Sequence, residues 1–522
     1  MSFNERAIQF AMKRLAFLLI AVSLLLNART AIAEDMVPRQ WRVFELAFTA
    51  NQEHASPMEL NLTANFAGPG GVQFEVPGFW DGGNTWRVRF APPVSGEWHY
   101  RTAAVDSGDP GLDAQAGTFT AQPASGENPL FAHGGFLRVS QNSLYLTYTD
   151  GTPFFWMGDT WWFCPSKHCP IVGSYEGPGE SMFKTLVDTR KAQGYTVAQM
   201  AFSGLGNDMP ALFSPQRWRE LEILQWRRID DYFVYANEQS IVPFIGIGFH
   251  KSLDEPSLDD LKRLWRYVVA RYGAFAVGWL IAGEYNKDDK QARVEKLMLL
   301  GQFIKDIDPY KRAMSIHPWV YKKDKRQAWD QPWHDFIMLQ CGHKDWAFKG
   351  GPPPTSLYLD IYHRRPRKPL LEDECDYEGI KDIDAQRVRL VAYRAVQSGS
   401  FGFTYGAHGI WYPIHSYDER KFTHFGKAVP WWVALAHPGG AQMGHMRRVY
   451  ESVDWWKLEP RPGAVTAAGN LTERESKQVL AKAFEDRLFL IYIPSDIEPD
   501  SELTLQGTSN RLRYNMTWFN PR

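Results

Sequence analysis

From residue 153 onward the chain repeats one rhythm: a short apolar run, a loop, and in most cases an amphipathic helical stretch. The apolar runs are Phe154–Asp159, Tyr195–Ala201, Ile241–Phe249, Val277–Glu284, Arg312–His317, Phe336–Cys341, Pro369–Glu374 and Gly402–Ala407. Helical periodicity falls between them, over Met182–Gln193, Ile229–Glu238, Leu258–Arg271, Lys290–Ile307 and Asp384–Gln397. Strands apolar on both faces belong to sheets covered on both sides, and parallel strands need helical crossovers. Eight such units over about 290 residues predict an α/β fold with a TIM (β/α)8 barrel rather than a doubly wound sheet. The barrel is expected within residues 130–450.

At 522 residues the chain exceeds one ordinary core, so flanking domains are expected. Short β-type runs at Met58–Ala64, Val72–Val76, Thr85–Phe90 and Glu97–Thr102 alternate with Gly- and Pro-rich turns. They predict an N-terminal β-sandwich over residues 38–122. The β pattern returns at Gln478–Phe484, Arg487–Ile493 and Glu502–Leu505, predicting a small C-terminal β domain over residues 455–522. At the other end, Lys13 and Arg14 precede an apolar run from Leu15 to Leu26, followed by the small-residue site Ala31-Ile-Ala33. That order reads as a secretory signal peptide over residues 1–33. The run is shorter than the ~20 apolar residues of a membrane span. An exported protein, periplasmic or secreted and without stable membrane insertion, is expected.

Lys+Arg (58) balances Asp+Glu (59) with no basic stripe, which argues against nucleic acid as a partner. Aromatic residues make up 14% of the chain, with 21 Trp, and such rings stack on the apolar faces of sugars. Cys164 and Cys169 bracket a short loop and suit a disulfide; Cys341 and Cys375 end two adjacent expected strands and suit a second. A C-x4-C spacing without a further cysteine pair is a poor zinc ligand set, so neither metal nor cofactor is expected.

Barrel enzymes carry their chemistry at the C-terminal ends of the strands. Glu284 ends the wholly apolar fourth run and Glu374 the seventh, across the mouth from it. Two carboxyl groups facing across a sugar-sized gap are what glycosidic cleavage needs: one protonates the leaving oxygen, the other attacks the anomeric carbon or activates water. In an apolar mouth the Glu284 pKa is expected to rise toward that of a general acid. Alternation places 372 and 374 on one face of their strand and 373 on the other. Asp159, Asn207, His250, Asn286 and His317 are candidate hydroxyl-binding residues, and Trp161, Trp319 and Trp411 candidate floors for sugar subsites.

The segments Pro153-Phe-Phe-Trp-Met-Gly-Asp-Thr-Trp161, Thr189-Arg-Lys-Ala-Gln-Gly-Tyr-Thr-Val197, Trp279-Leu-Ile-Ala-Gly-Glu-Tyr-Asn286 and Pro369-Leu-Leu-Glu-Asp-Glu-Cys-Asp-Tyr-Glu378 resemble the apiosidase-like glycoside hydrolase barrels. Trp41–Leu46, Gly78–Gly82 and Val88–Pro92 resemble the β-sandwich that precedes such barrels, and the tail resembles the small β domain labelled collagen-binding by similarity. The resemblance implies a glycoside hydrolase acting on plant or algal cell-wall poly- or oligosaccharide, with its catalytic acids at Glu284 and Glu374. Relatives commonly carry Gly-Gly-Asp-x-Asn where this chain has Ala282-Gly-Glu-Tyr-Asn286, so a longer acid replaces Asp. The wider retaining clan has Asn directly before this acid; here Gly283 stands there. Retaining and inverting courses both remain open, since they divide on carboxyl separations of ~5 and ~6.5–9.5 Å. A second reading is a non-catalytic carbohydrate-binding or matrix-adhesion protein whose β domains make the contacts. A protease fits poorly, because the chain has neither His-Glu-x-x-His nor Gly-x-Ser-x-Gly.

Overall fold

The computed structural model describes residues 37–104, 108–202, 223–321, 326–343, 352–419, 425–467, 479–495 and 502–522. In the N-terminal part, strands with alternating buried and exposed residues pair into two antiparallel sheets. One contains β1 (Phe44–Thr49), β4 (Phe79–Trp80) and β5 (Thr85–Phe90). The other contains β2 (Thr63–Ala67), β3 (Gln73–Pro77), β6 (Gly96–Ala103) and β7 (Ala116–Ala121). Aromatic side chains fill the space between: Phe66 stacks on Phe90 at 4.1 Å and Trp98 meets Phe90 edge-on at 4.9 Å.

A meander of β8 (Arg138–Val139), β9 (Leu146–Thr147) and β10 (Pro153–Phe154) leads into a parallel sheet. Its strands are β11 (Trp156–Trp161), β12 (Val197–Ala201), β13 (Val242–Phe249), β14 (Gly278–Gly283), β15 (Ile337–Gly342), β16 (Leu370–Cys375) and β17 (Ser400–Tyr405). They run in the order β14-β13-β12-β11-β17-β16-β15, so the first and last strands pair and the sheet curls on itself. Every residue of these strands is buried, as continuous apolar runs require. Helices alternate with them: α1 (Met182–Gln193), α2 (Ile223–Glu238), α3 (Leu258–Tyr272), α4 (Gln291–Ile307), α5 (Thr355–Tyr362) and α6 (Ala385–Gln397). Sequence sets their ends. The Ser181 hydroxyl accepts from Lys184 N at 3.1 Å to start α1, Gly194 at φ +91° ends it, and Ser257 with Asp260 forms a reciprocal cap on α3.

The expected fifth strand is not a ladder strand. Residues 312–317 meet β14 through an isolated bridge between Trp279 and Met314, continued by Ser315 N to Trp279 O (3.0 Å) and His317 N to Ala282 O (3.1 Å). On the β15 side a backbone bond runs from Asp335 N to Met314 O (3.0 Å), and side chains take neighbouring ladder positions: Asp335 Oδ2 accepts from Met314 N at 2.9 Å and Ser315 Oγ donates to Phe336 O at 2.7 Å. With part of its hydrogen bonding diverted to side chains, the segment fills the gap between β14 and β15 without joining either as a regular strand.

The C-terminal strands β18 (Glu459–Pro460), β20 (Leu480–Phe484) and β21 (Leu488–Tyr492) form one antiparallel sheet, and β19 (Val465–Ala467) pairs with β22 (Leu503–Leu505). This part docks on α6, where Gln397 Nε2 donates to Leu490 O at 2.9 Å and Tyr393 stacks on Tyr492 at 4.3 Å. Among the described residues, no helix is long and apolar enough to cross a membrane.

A buried ion network fastens the N-terminal sheets to the barrel. Asp230 on α2 accepts from Arg89 of β5 (2.7 Å) and, through both oxygens, from Arg271 of α3 (2.8 and 2.7 Å). Arg271 also donates to Asp81 at 2.9 Å, and burial of the Asp81 carboxyl is outweighed by Arg271 beside it, which holds its pKa below the usual value. Removing Asp230 leaves two guanidinium groups buried without their shared anion. Asp230→Ala is therefore expected to lower the unfolding free energy by about 3–5 kcal/mol in urea titrations, whereas a loss under ~1 kcal/mol would show that the network is dispensable.

Candidate active site

Each barrel strand delivers its last residues to one end of the sheet. β14 is apolar up to Gly283, whose glycine is required because a Cβ there would lie 2.2 Å from the Phe249 ring. The chain then turns at Glu284, which adopts φ +47° and is 7% exposed. Its Oε2 lies 3.1 Å from Lys287 Nζ and 3.5 Å from His250 Nε2. Burial dominates and pushes its pKa up to about 7; Lys287 opposes the rise and the negative charge of Glu374 adds to it.

Glu374 lies in an equally buried place with the opposite outcome. Its Oε2 is 3.4 Å from His317 Nε2 and its Oε1 3.4 Å from His343 Nε2. Burial alone would raise its pKa, but the two imidazoles outweigh that and hold the carboxyl well below the usual range. His317 donates from Nδ1 to Asp373 Oδ2 at 2.6 Å. Burial works against its charge, yet Asp373 and Glu374 together raise its pKa to about 10, so both ring nitrogens carry hydrogen at neutral pH. His343 Nδ1 accepts from Tyr377 N at 3.3 Å, which assigns the ring hydrogen to Nε2, facing Glu374. The Tyr377 hydroxyl lies within reach of both Thr160 Oγ1 (3.1 Å) and the Glu374 carboxylate.

Strict alternation along β16 fails at this point. Leu339 pairs with Glu372 but the next residue, Gln340, pairs with Glu374, a bulge of one residue. Asp373 and Glu374 consequently contact the two nitrogens of the same His317 ring. Glu372 turns away to α5, accepting from Tyr358 Oη at 2.7 Å. Bulges re-aim side chains in this way next to functional sites.

The other sequence-selected residues divide between the mouth and its surroundings. His250 and His317 are at the carboxylates. Asn286 accepts from Trp319 N at 2.7 Å and ties the turn after β14 to the turn after His317. Trp319 lies under Lys287, with Nζ 3.8 Å from its ring centroid. Trp411 is buried, donates to His408 Nδ1 at 3.2 Å and sits 6.3 Å from the Tyr377 ring. Asp159 and Trp161 share the face of β11 that looks toward α1: Asp159 Oδ2 accepts from Arg190 Nε (2.6 Å) and Trp161 Nε1 (2.9 Å), and Trp161 abuts Phe183. The neighbouring Trp162 is on the inner face, 5.0 Å from His317 and 5.1 Å from Phe249. Asn207 lies outside the described residues.

Asp373, His343, Tyr377, Lys287 and Trp162 complete the mouth and were not selected from sequence. Period two along β11 would have separated Trp162 from Trp161, and Lys287 stands three residues after Glu284. The pairing of His343 with Glu374 has no local signal. Cys164 and Cys169 form a disulfide, whereas Cys341 and Cys375 are buried free thiols. Among the described residues no group of three or more His, Cys, Asp or Glu is placed to hold a metal ion.

The sequence pattern of the apiosidase-like catalytic domain matches residues 140–457, and that of a domain of unknown function, DUF5060, matches residues 38–105. A search of curated proteins gives no match. A solved structure from Bacteroides vulgatus ATCC 8482, described as a candidate glycoside hydrolase, superposes with a TM-score of 0.63 at 20% identity, over 86% of this chain and 82% of that one. A glycoside hydrolase family 5 structure from the same organism gives 0.56 at 22% identity, over 70% and 81%. A further glycoside hydrolase gives 0.56 at 23% identity, over 69% and 83%. At these identities the likeness is one of fold, a curled parallel sheet with added β domains. The match over residues 140–457, which contains both Glu284 and Glu374, places this chain in the apiosidase-like family of glycoside hydrolases.

Proposed function

We propose that the protein is an exported enzyme that cleaves glycosidic bonds in plant or algal cell-wall poly- or oligosaccharide, with Glu284 as general acid and Glu374 as its carboxylate partner. The observation that carries this reading is the split between two buried glutamates at one mouth. Glu284, pushed up to about 7, holds a proton to give to the leaving oxygen near neutral pH. Glu374, held ionised by His317 and His343, keeps the negative charge needed to attack the anomeric carbon or to draw a proton from water. Asp373 supports that charge by fixing the His317 ring. Export rests on the charged, apolar and small-residue order of the first 33 residues.

Because Glu284 must be protonated to act, kcat/KM is expected to fall as pH rises through about 7. The same profile should stay flat on the acid side down to about pH 4, the ordinary carboxylate range, since Glu374 remains ionised there. An acid limb near pH 6 instead would contradict the assignment of Glu374. Glu284→Gln should cost about 10²–10⁴-fold in kcat with binding retained. Turnover is measured on the mature protein with a panel of cell-wall oligosaccharides, following the product anomer by NMR to separate retaining from inverting cleavage. If Glu284→Gln keeps full activity, the non-catalytic carbohydrate-binding reading takes its place.

A further inference from the structure

The cation at the mouth has its own support. Glu284 leaves β14 at positive φ, and the chain passes at once into a tight turn through Lys287–Asp289, begun by Lys287 N donating to Glu284 O at 3.1 Å. This turn brings the Lys287 side chain back over the carboxyl from which it started. The ammonium is then held between two groups: Glu284 Oε2 at 3.1 Å and the Trp319 ring, whose centroid is 3.8 Å away. Trp319 is in turn placed by Asn286 Oδ1, which accepts its backbone N–H at 2.7 Å. Indole, ammonium and carboxylate thus form one stack, assembled from residues 284–287 and 319.

We propose that Lys287, steadied on the face of Trp319, is a positioning residue that holds the Glu284 carboxyl in place and sets the pH at which that group gives up its proton. The proposal rests on the reading of Glu284 as proton donor. It also gives Trp319 a different part from a sugar platform, because one face of the indole is occupied by the ammonium. The charged and titratable groups facing Glu284 come from four elements. Lys287 belongs to its own turn, and His250 approaches the same oxygen at 3.5 Å from the turn after β13. His317, from the segment between β14 and β15, and Glu374 of β16 act from across the mouth. Of these, Lys287 makes the shortest contact and its side chain is 27% exposed, so it can be replaced without opening a core cavity.

The test follows Glu284 directly, in full-length protein labelled with carboxyl-¹³C glutamate, its resonance assigned by its loss in Glu284→Gln. An opposite charge this close shifts a carboxyl by ~1–3 pH units, and partial solvent screening places the expected rise in Lys287→Met at about 1 unit. Lys287→Arg should restore the wild-type titration. Trp319→Leu should move it in the same direction as Lys287→Met, because the ammonium loses its support. The alkaline limb of kcat/KM should follow in each case. A Glu284 titration unmoved by Lys287→Met would overturn the proposal. An unmoved titration with a raised KM in Trp319→Leu would overturn the part given to Trp319 and make it a sugar contact. Retained turnover in Glu284→Gln would instead sink the proton-donor reading, whichever way the titration falls.

Discussion

Between β14 and β15 the barrel is closed by a segment that pairs partly through backbone and partly through side chains, and at its end the His317 ring lies between two carboxylates. Asp373 takes the Nδ1 hydrogen at 2.6 Å and Glu374 stands 3.4 Å from Nε2. A buried imidazolium is costly unless paired, and a buried carboxylate likewise. Each makes the other tolerable here, and the charge on Glu374 depends on that exchange. The irregular closure is what frees His317 to sit there: its backbone N–H bonds Ala282 O on β14, while its ring reaches across to β16.

The two glutamates show why burial by itself does not set a protonation state. Both are almost fully removed from water at the same end of one sheet. Glu284 has one ammonium at 3.1 Å and one imidazole at 3.5 Å, with the charge of Glu374 against it, and desolvation prevails, so its proton is retained to about pH 7. Glu374 has two imidazoles within 3.4 Å, so pairing prevails. Opposed environments around otherwise identical side chains are the pattern by which one site runs acid and base chemistry together. The bulge in β16 makes the arrangement possible, since a regular strand would turn Asp373 away from the ring that Glu374 faces.

The flanking β domains act on the barrel from its outer side. The Asp230 network crosses from β5 to α2 and α3, and the Tyr310 hydroxyl on the barrel side accepts from Ala91 N at 2.7 Å. The C-terminal strands seat on α6 through Tyr393 and Gln397. Neither contact enters the mouth, which is built from residues of the barrel strands and the loops that follow them.

The α/β architecture was legible in the sequence because burial on both faces leaves an unmistakable apolar run at each strand, and Glu284 and Glu374 were legible because a charge that ends such a run stands out against it. Flanking strands with turn punctuation were legible for the same local reason. Tertiary structure decided the rest. Residues 312–317 carry an apolar pattern but lose part of their ladder to the side chains of Asp335 and Ser315, and no local pattern reveals that competition. Asp159 and Trp161 ended a strand as a site residue should, yet their face of β11 meets Arg190 and Phe183 of α1. Sequence specified where charged side chains would emerge from an apolar sheet; which of them came to share a proton, a partner or a cation was fixed by a bulge and a turn, because those depend on contacts between residues far apart in the chain.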